Sequence, residues 1–297
     1  MLEPWVFFAL LASLVWAAGS LIDKYVLVKW VRNPYVPVIV MVLMGFIAAL
    51  AVFFIRGFSA LSYLNILLAF AAGFLYVIVA ILYFKAVKTE EISRIIPLFN
   101  LSPMFVLILA AVFLGEVFTP LKYLGIFLLI IGAALISSRN ILKIRPGKTF
   151  WLIVLASFIT AINLVIGKYL LGFADFWTIF SYTMIGEFIA IIPILALNFH
   201  DLAATAKEHG RKPIMTMSFN ETLTVAARLL TLTAMSVGYV VLVEALESLH
   251  AFFVLLFAVI LSVFWPKILK EEIGRGTVLL KLLAIILMFA GAFLVTG

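Results

Sequence analysis

The chain alternates between apolar runs of about twenty residues and short polar breaks along its whole length. A bilayer core about 30 Å thick is crossed by about twenty helical residues, whereas a membrane strand would alternate with a period of two, a pattern not found here. The sequence therefore predicts an all-α integral membrane protein. We place ten transmembrane helices near residues 5–23, 35–55, 62–84, 92–114, 120–138, 150–171, 177–198, 218–236, 240–265 and 277–296, with a polar loop at 200–212.

Two segments of the sequence repeat each other. Residues 11–25 read LASLVWAAGSLIDKY and residues 155–169 read LASFITAINLVIGKY, which is seven identities in fifteen positions at a spacing of 144. Residues 101–108 and 249–256 echo each other at a spacing of 148. Chance likeness of apolar helices explains shared Leu and Phe, but it explains the paired Lys-Tyr endings poorly, so we favour a duplication. With five spans per copy, the second copy is inverted in the bilayer, as in many transporters with a midplane site. This gives a first repeat at 1–138, a basic linker at 139–149 and a second repeat at 150–297.

Composition supports the membrane assignment and orients the chain. Hydrophobic residues make up 66% of the sequence, charged residues 12%, and the mean hydropathy is +1.29. Most of the 21 Lys and Arg residues fall in the loops after odd-numbered spans, which by the positive-inside rule face the cytoplasm and leave both termini outside. A basic membrane face accounts for the net charge of +7, so we expect no nucleic-acid partner. The chain has no Cys, and His200 and His209 lack a repeated ligand spacing, so we expect no metal and no cofactor.

From the end of span 3 to span 5, a set of residues occurs in an order that is typical of one family of membrane proteins. These residues are Ala86, Ser93, Ser102, Pro103, Gly115, Glu116, Gly125 and Gly132. With this set, residues 86–132 resemble the EamA domain of the drug/metabolite transporter (DMT) superfamily, and the whole chain is similar to two such domains. The resemblance implies ten helices around a central cavity, transport of small polar metabolites or drugs, and both termini in the cytoplasm, opposite to the charge count. The second copy departs from the family pattern at Ala251, where a proline is usual, and at 265–272, where the counterpart of Gly115-Glu116 is displaced.

Polar residues follow one face of spans 1 and 6 at helical spacing. A stripe on each of two matched helices favours a shared cavity lined from two sides. Helix packing is the alternative, because Ser, Thr and Gly are common where membrane helices approach closely. The predicted cavity residues are Ser13, Trp16 and Ser20, continuing to Asp23, and Ser157, Thr160 and Asn163, continuing to Gly167.

Span 4 contains two prolines and an amide within seven residues. Pro97 and Pro103 each lack an N–H, so they release the carbonyl four residues earlier and predict a bent or broken helix. Asn100 lies between them and could bind substrate beside the freed carbonyls. We predict Pro97 and Pro103 as gating or hinge positions and Asn100 as a cavity residue, with a purely structural kink as the alternative.

Ionisable residues inside spans 7 to 9 suggest either ion coupling or a fixed salt bridge. Glu187 and Arg228 fall near the middle of spans 7 and 8, where a single charge costs about 2.5 to 3.5 kcal/mol. Glu244, Glu247 and His250 follow at intervals of three in span 9 and could relay protons. The alternative is a structural Glu187–Arg228 pair that ties spans 7 and 8 together.

Lys24 and Lys168 end spans 1 and 6 at matching points of the repeat. In an inverted pair they lie at opposite membrane faces. They would attract an anionic substrate at each entrance or extend to the interface as ordinary snorkelling lysines.

Together these features predict a monomeric secondary-active transporter of the plasma membrane. It would carry a small metabolite, such as an amino acid or another small polar or amphipathic solute, by alternating access, with protons as the candidate coupling ion. The alternatives are a drug or metabolite exporter, a facilitative uniporter without ion coupling, and a membrane scaffold that transports nothing. No HExxH helix, paired aspartates or Ser/His pair occurs within a span, so we do not expect an enzyme.

Overall fold

In a computed structural model, the protein is described over residues 3–89, 99, 101–137, 147–264 and 275–297. The described residues are almost entirely α-helical. The helices are α1 (Pro4–Lys29), α2 (Tyr35–Arg56), α3 (Tyr63–Thr89), α4 (Ser102–Phe113), α5 (Pro120–Ser137), α6 (Lys148–Leu170), α7 (Phe176–His209), α8 (Lys212–Val237), α9 (Val240–Glu247), α10 (His250–Phe264) and α11 (Arg275–Thr296).

Six helical segments of the described chain are long and apolar enough to cross a membrane. Large apolar side chains such as Phe54, Leu197 and Phe293 are exposed on the outer surface, as expected of groups that face lipid. Helix α8 is not among the six, because its sequence is more polar. The six segments are Pro4–Lys29, Tyr35–Arg56, Tyr63–Thr89, Thr149–Leu170, Phe176–His209 and Val240–Leu261.

The prediction of a polar loop at 200–212 is wrong. Helix α7 continues to His209, and α8 begins at Lys212. The segment contains Leu, Ala, Lys and Glu, which favour helix, and no proline or glycine before Gly210. Gly210 has a φ of +69°, a conformation that glycine adopts without strain, and it ends the helix.

Span 9 was predicted as one helix, but it is broken between α9 and α10. The amides of Ser248, Leu249 and Ala251 each bond to the carbonyl three residues earlier, and the Ser248 hydroxyl donates to the Ala245 carbonyl at 2.6 Å. Such local bonds compete with the regular α-helical ladder. Helix α10 begins at His250, and α4 begins at Ser102, which is the spacing of 148 found in the sequence. Both halves therefore start a helix at the same point of the repeat.

The main helix pairs keep their pattern when each first-half helix is exchanged with its second-half counterpart. Helix α1 packs on α8 as α6 packs on α3, and α4 packs on α6 as α10 packs on α1. Helix α3 packs on α7 as α8 packs on α2, while α2 pairs with α7 and α5 with α11. Most of these contacts join one half of the chain to the other.

Glycine allows the closest of these approaches. A Cβ on Gly73 of α3 would collide with the backbone of Thr183 and Glu187 in α7, and a Cβ on Gly186 would collide with the backbone of Phe70. Small residues at such crossings let membrane helices come into backbone contact. The crossing fixes the depth at which Glu187 lies.

Candidate functional site

A cavity of about 300 Å³ lies between helices of both halves. Most of its wall is apolar and aromatic, with polar groups at a few points, as is usual for small-molecule sites. The polar and aromatic wall residues are Trp16, Ser20 and Asp23 of α1, Tyr76, Tyr83 and Phe84 of α3, Phe99 before α4, Ser102 of α4, Thr160 and Asn163 of α6, Phe180 and Thr183 of α7, Glu221, Thr224, Arg228 and Thr231 of α8, Glu244 and Glu247 of α9, Ser248 between α9 and α10, and His250 of α10.

The two predicted polar stripes divide into cavity and packing residues. Trp16, Ser20, Thr160 and Asn163 line the cavity, and Asn163 also donates from Nδ2 to the Ala72 carbonyl at 2.6 Å. Ser13 and Ser157 occupy equivalent positions of the repeat and are not part of the cavity wall. Both are fully buried, and their hydroxyls donate to the carbonyls of Ala9 and Ile153 at 2.8 and 2.9 Å.

The predicted residues of span 9 reach the cavity. The His250 Nε2 atom lies 3.0 Å from the Ser20 hydroxyl, which joins α10 to α1. The Thr231 hydroxyl donates to Glu247 at 2.7 Å, which joins α8 to α9. Glu244 lies in the same wall, beside the N-terminus of α4.

Glu187 and Arg228 form an ion pair at the edge of the cavity. Arg228 Nη2 donates to Glu187 Oε1 at 2.5 Å, and the side chains are 12% and 1% exposed. The guanidinium stacks on Tyr76, 3.9 Å from the ring centroid. Arg228 lines the cavity, whereas Glu187 lies outside the wall, so the charge of Arg228 is matched before any solute enters.

Two acidic groups, Asp23 and Glu221, lie near this pair together with the amide of Asn220, and we call these three residues the Asp23 cluster. Asn220 Nδ2 donates to Asp23 at 2.7 Å, and Glu221 interacts electrostatically with Asp23. Asp23 appeared only as the end of a polar stripe. Glu221 was overlooked, although it precedes Arg228 by seven residues and therefore lies on the same face of α8.

The predicted hinge residues fall partly within the described chain. Pro103 lies in the first turn of α4, where a missing N–H costs nothing, and it lines the cavity. Pro97 and Asn100 lie outside the described residues. A break at the start of α4 thus borders the cavity directly.

Beyond the cavity, Lys168 and Glu116 fasten the turn between α8 and α9. Lys168 Nζ donates to the carbonyls of Met235 and Gly238, both at 2.7 Å. The two Glu116 carboxylate oxygens accept from the amides of Val240 and Val241 at 3.1 and 3.2 Å, which caps α9. Burial raises the pKa of Glu116, and these two amides and the charge of Lys168 oppose that shift.

The cavity suits non-covalent binding of a small solute more than chemistry. Within the described part of the chain, no group of three His, Asp or Glu residues is arranged to hold a metal ion. Four carboxylates line the wall, those of Asp23, Glu221, Glu244 and Glu247, against the single guanidinium of Arg228 among described residues. The wall therefore carries an excess of negative or protonated acid groups.

Comparison with known proteins supports the resemblance seen in the sequence. The model of the EamA-like transporter family, part of the DMT superfamily, matches residues 3–138. One solved crystal structure, described simply as that of a protein, aligns over 100% of this chain and 97% of its own, with a TM-score of 0.66 and 14% sequence identity. At that identity the likeness shows the fold alone. No curated protein matches the sequence.

Proposed function

We propose that the protein is a secondary-active membrane transporter, because the model of the EamA-like transporter family matches residues 3–138 and six described segments are long and apolar enough to cross a membrane. A small solute would occupy the central cavity and cross the membrane by alternating access. The single observation that carries this proposal is a cavity walled by both halves of the chain, with ionisable groups inside it.

The helix pairing supports an inverted repeat as the basis of the movement. Exchange of the halves keeps the main pairs, and such symmetry lets two conformations be reached by swapping the packing of the repeats. We propose ten spans, with repeats at 1–138 and 150–297. The breaks before Ser102 and His250 would act as the hinges, since they lie at equivalent points and both border the cavity.

Within the proposal, the charged residues have separate roles. Glu187 holds Arg228 in a buried pair, so we assign this pair to the structure of α7 and α8. Glu247 faces the cavity with one bond from Thr231, so we assign proton coupling to Glu247 rather than Glu187. We place the protein in the plasma membrane as a monomer, with the basic ends of the helices in the cytoplasm.

Transport can be tested without knowing the solute, because the chain contains no Cys. In Thr160→Cys the new thiol would lie in the cavity wall, and in Ser157→Cys it would lie three residues away in packed protein. Alternating access predicts that an impermeant thiol reagent labels Thr160→Cys from either side of the membrane and leaves Ser157→Cys unlabelled. Labelling of Thr160→Cys from one side alone would contradict the proposal and favour a scaffold.

Proton coupling needs a separate measurement. In proteoliposomes, a pH gradient should drive solute accumulation by the wild type, and Glu247→Gln should abolish that drive while keeping exchange at equal pH. Glu187→Gln should lower stability instead. If Glu247→Gln keeps the wild-type response to the gradient, the assignment of coupling to Glu247 is wrong, and if the wild type itself shows no response, the protein is a uniporter.

A further inference from the structure

The proposed transport function leaves the class of solute open, and the arrangement of hydrogen-bonding groups in the cavity narrows it. The first observation is a balance of charge. Among the described wall residues, four are acidic and Arg228 is the only permanently charged base. Arg228 is already bonded to Glu187 and stacked on Tyr76, so it offers little to an anionic solute.

The second observation is that the Asp23 cluster is rich in hydrogen-bond acceptors and poor in donors. Asn220 Nδ2 donates a hydrogen bond to Asp23, which sets the orientation of the Asn220 amide. Its Oδ1 atom is buried without a hydrogen-bond partner in the described part of the chain, and Asn220 is 2% exposed. Asn220 is not itself a wall residue, but this oxygen lies 3.4 Å from the point that a Cβ on Gly19, which is a wall residue, would occupy.

The third observation is that the two carboxyl groups of the Asp23 cluster lie near each other in the buried interior of the protein. Asp23 and Glu221 interact with each other, and Glu221 is 3% exposed. Two buried carboxylates beside each other are mutually destabilising, and the nearby charge of Arg228 is shared with its closer partner Glu187, so the cluster favours a proton or a cation. A buried, unpaired amide oxygen beside them requires an N–H or O–H donor.

Aromatic groups complete the site. Tyr83 lies within electrostatic range of Asp23 and Glu221, and its ring contacts Phe99 edge-on at 5.6 Å between centroids. Trp16 lies two turns before Asp23 on the same face of α1 and lines the same cavity. Aromatic faces of this kind attract cations and pack against the apolar part of a solute.

We propose that the cavity binds an organic cation whose head is an ammonium group with N–H donors. Its nitrogen would lie among Asp23, Glu221 and the Asn220 Oδ1 atom, and its apolar portion would lie against Tyr83 and Trp16. Three acceptors around one nitrogen match a primary ammonium and leave a quaternary ammonium, which has no N–H, with an unpaired amide oxygen. An anion would face unpaired carboxylates and no available base among the described wall residues.

The test compares probes that share a phenyl ring and differ in the head group, with binding to the purified full chain followed by calorimetry. The probes are 2-phenylethylamine, its N,N,N-trimethyl derivative, 2-phenylethanol and 3-phenylpropionate. We expect the primary amine to bind about tenfold or more tightly than the trimethyl compound and the alcohol, with no binding of the anion. The proposal would be overturned if the alcohol bound as tightly as the primary amine, or if the anion bound more tightly than the amine.

Variants locate the site. Asp23→Asn and Glu221→Gln should each weaken amine binding by about tenfold or more, because each removes a negative acceptor. Glu208→Gln changes a surface acid that is 49% exposed and should bind the amine as the wild type does. Wild-type affinity in both cavity variants would overturn the placement. If neither variant folds, the ranking of probes on the wild type decides the matter.

The proposal rests on the proposed transport function but fails separately from it. Labelling of Thr160→Cys from both sides together with binding of the anion in place of the amine would leave transport standing and remove the cation assignment. Amine binding together with labelling of Thr160→Cys from one side would keep the site and remove alternating access.

Discussion

At each end of the molecule a lysine donates hydrogen bonds to the C-terminus of a neighbouring helix, and the described bonds are shorter for Lys168 than for Lys24. Lys24 Nζ donates to the Val87 carbonyl at 3.3 Å, near the C-terminus of α3. Lys168 donates to the carbonyls of Met235 and Gly238 at 2.7 Å, at the C-terminus of α8. Val87 and Met235 are 148 residues apart, which is the spacing at which residues 101–108 and 249–256 echo each other.

The comparison shows what the duplicated lysine does. Both lysines bind the negative end of a helix, so neither stands as an open attractor for an anionic substrate. The Lys168 end has shorter bonds and adds Glu116, which caps the next helix at the same turn. We therefore expect the Lys168 end to be the harder one to open.

The largest effect should come from breaking the tighter end. Lys168→Met should lower the free energy of unfolding by about 2 kcal/mol, since it leaves two carbonyls and Glu116 without their cation. Lys24→Met should cost less, because the bond from Lys24 to the Val87 carbonyl is longer than either described bond of Lys168. Urea or thermal unfolding of both variants in the same detergent gives the comparison. A larger loss for Lys24→Met would reverse the order of the two ends.

The second effect concerns Glu116 and depends on pH. Because the folded protein raises the pKa of this carboxyl above its ordinary value of 4.5, its ionisation opposes folding. Its favourable contribution is complete below pH 4.5 and is lost as the pH rises through the folded pKa. The stability of the wild type relative to Glu116→Gln should therefore fall from pH 4.5 upward. A difference between the two proteins that stays constant with pH would show that burial does not control Glu116.

The third effect compares the caps of α2 and α7, which begin at opposite ends. Asn33 Oδ1 accepts from the Tyr35 amide at 3.0 Å, and Asp175 accepts from the amides of Trp177 and Thr178 at 2.9 and 3.2 Å. Replacing either cap with Ala should cost about 1 kcal/mol near neutral pH.

The two caps should differ in acid. Partial burial would raise the pKa of Asp175, but its hydrogen bonds with Thr178 and Trp177 outweigh that and lower it. Its contribution is present above pH 3.8 and is lost as the pH falls through the folded pKa. The cost of Asp175→Ala should then shrink in acid, whereas the Asn33 amide, which also donates to Asp201, has no charge of its own to lose. A pH titration of the stability difference between the wild type and Asp175→Ala checks this, and a cost that stays constant in acid would contradict it.

The smallest effect should come from the ion pair of Arg32 and Glu208 at the Lys24 end. The atoms are 3.1 Å apart, but the side chains are 87% and 49% exposed. Exposed pairs contribute about 0.5 kcal/mol or less. Arg32→Gln should leave the unfolding midpoint nearly unchanged, and a loss as large as that of Lys24→Met would show that surface charge, rather than helix capping, holds this end.

The sequence predicts the positions of helices well, and it predicts their ends and internal breaks less well. Apolar runs located the six described segments that are long enough to cross a membrane, since the run length that crosses a bilayer is independent of neighbouring helices. The segment 200–212 was misjudged because polarity was taken for a loop, although its residues favour helix. The break at Ser248 was missed because no proline marks it.

The candidate site shows the same limit. Helical periodicity brought Trp16 and Ser20 to one face, and both line the cavity. It could not separate them from Ser13, whose position depends on which helix packs opposite. Glu221 lies close to the start of the predicted span 8, where an acidic residue does not stand out from the polar residues around it. The ion pair of Glu187 and Arg228 forms because α7 and α8 are neighbours. The short connection between these two helices indicates that they are adjacent.

The two helix breaks, one preceding Pro103 and the other preceding Ala251, are not mechanically alike. Pro103 has no amide hydrogen, so the bond from residue 103 to the Phe99 carbonyl, which a continuous helix would contain, cannot form. The amides of Ser248, Leu249 and Ala251 carry hydrogen, and a shift of their bonds to the carbonyls four residues earlier would join α9 and α10 into one continuous helix. Residues three apart eclipse in a 3₁₀ turn but stand about 60° apart in an α-helix, so that shift would rotate Glu247 and His250 apart. Unlike the first break, the second can therefore close, and its closure would change how two ionisable side chains of the wall face the cavity.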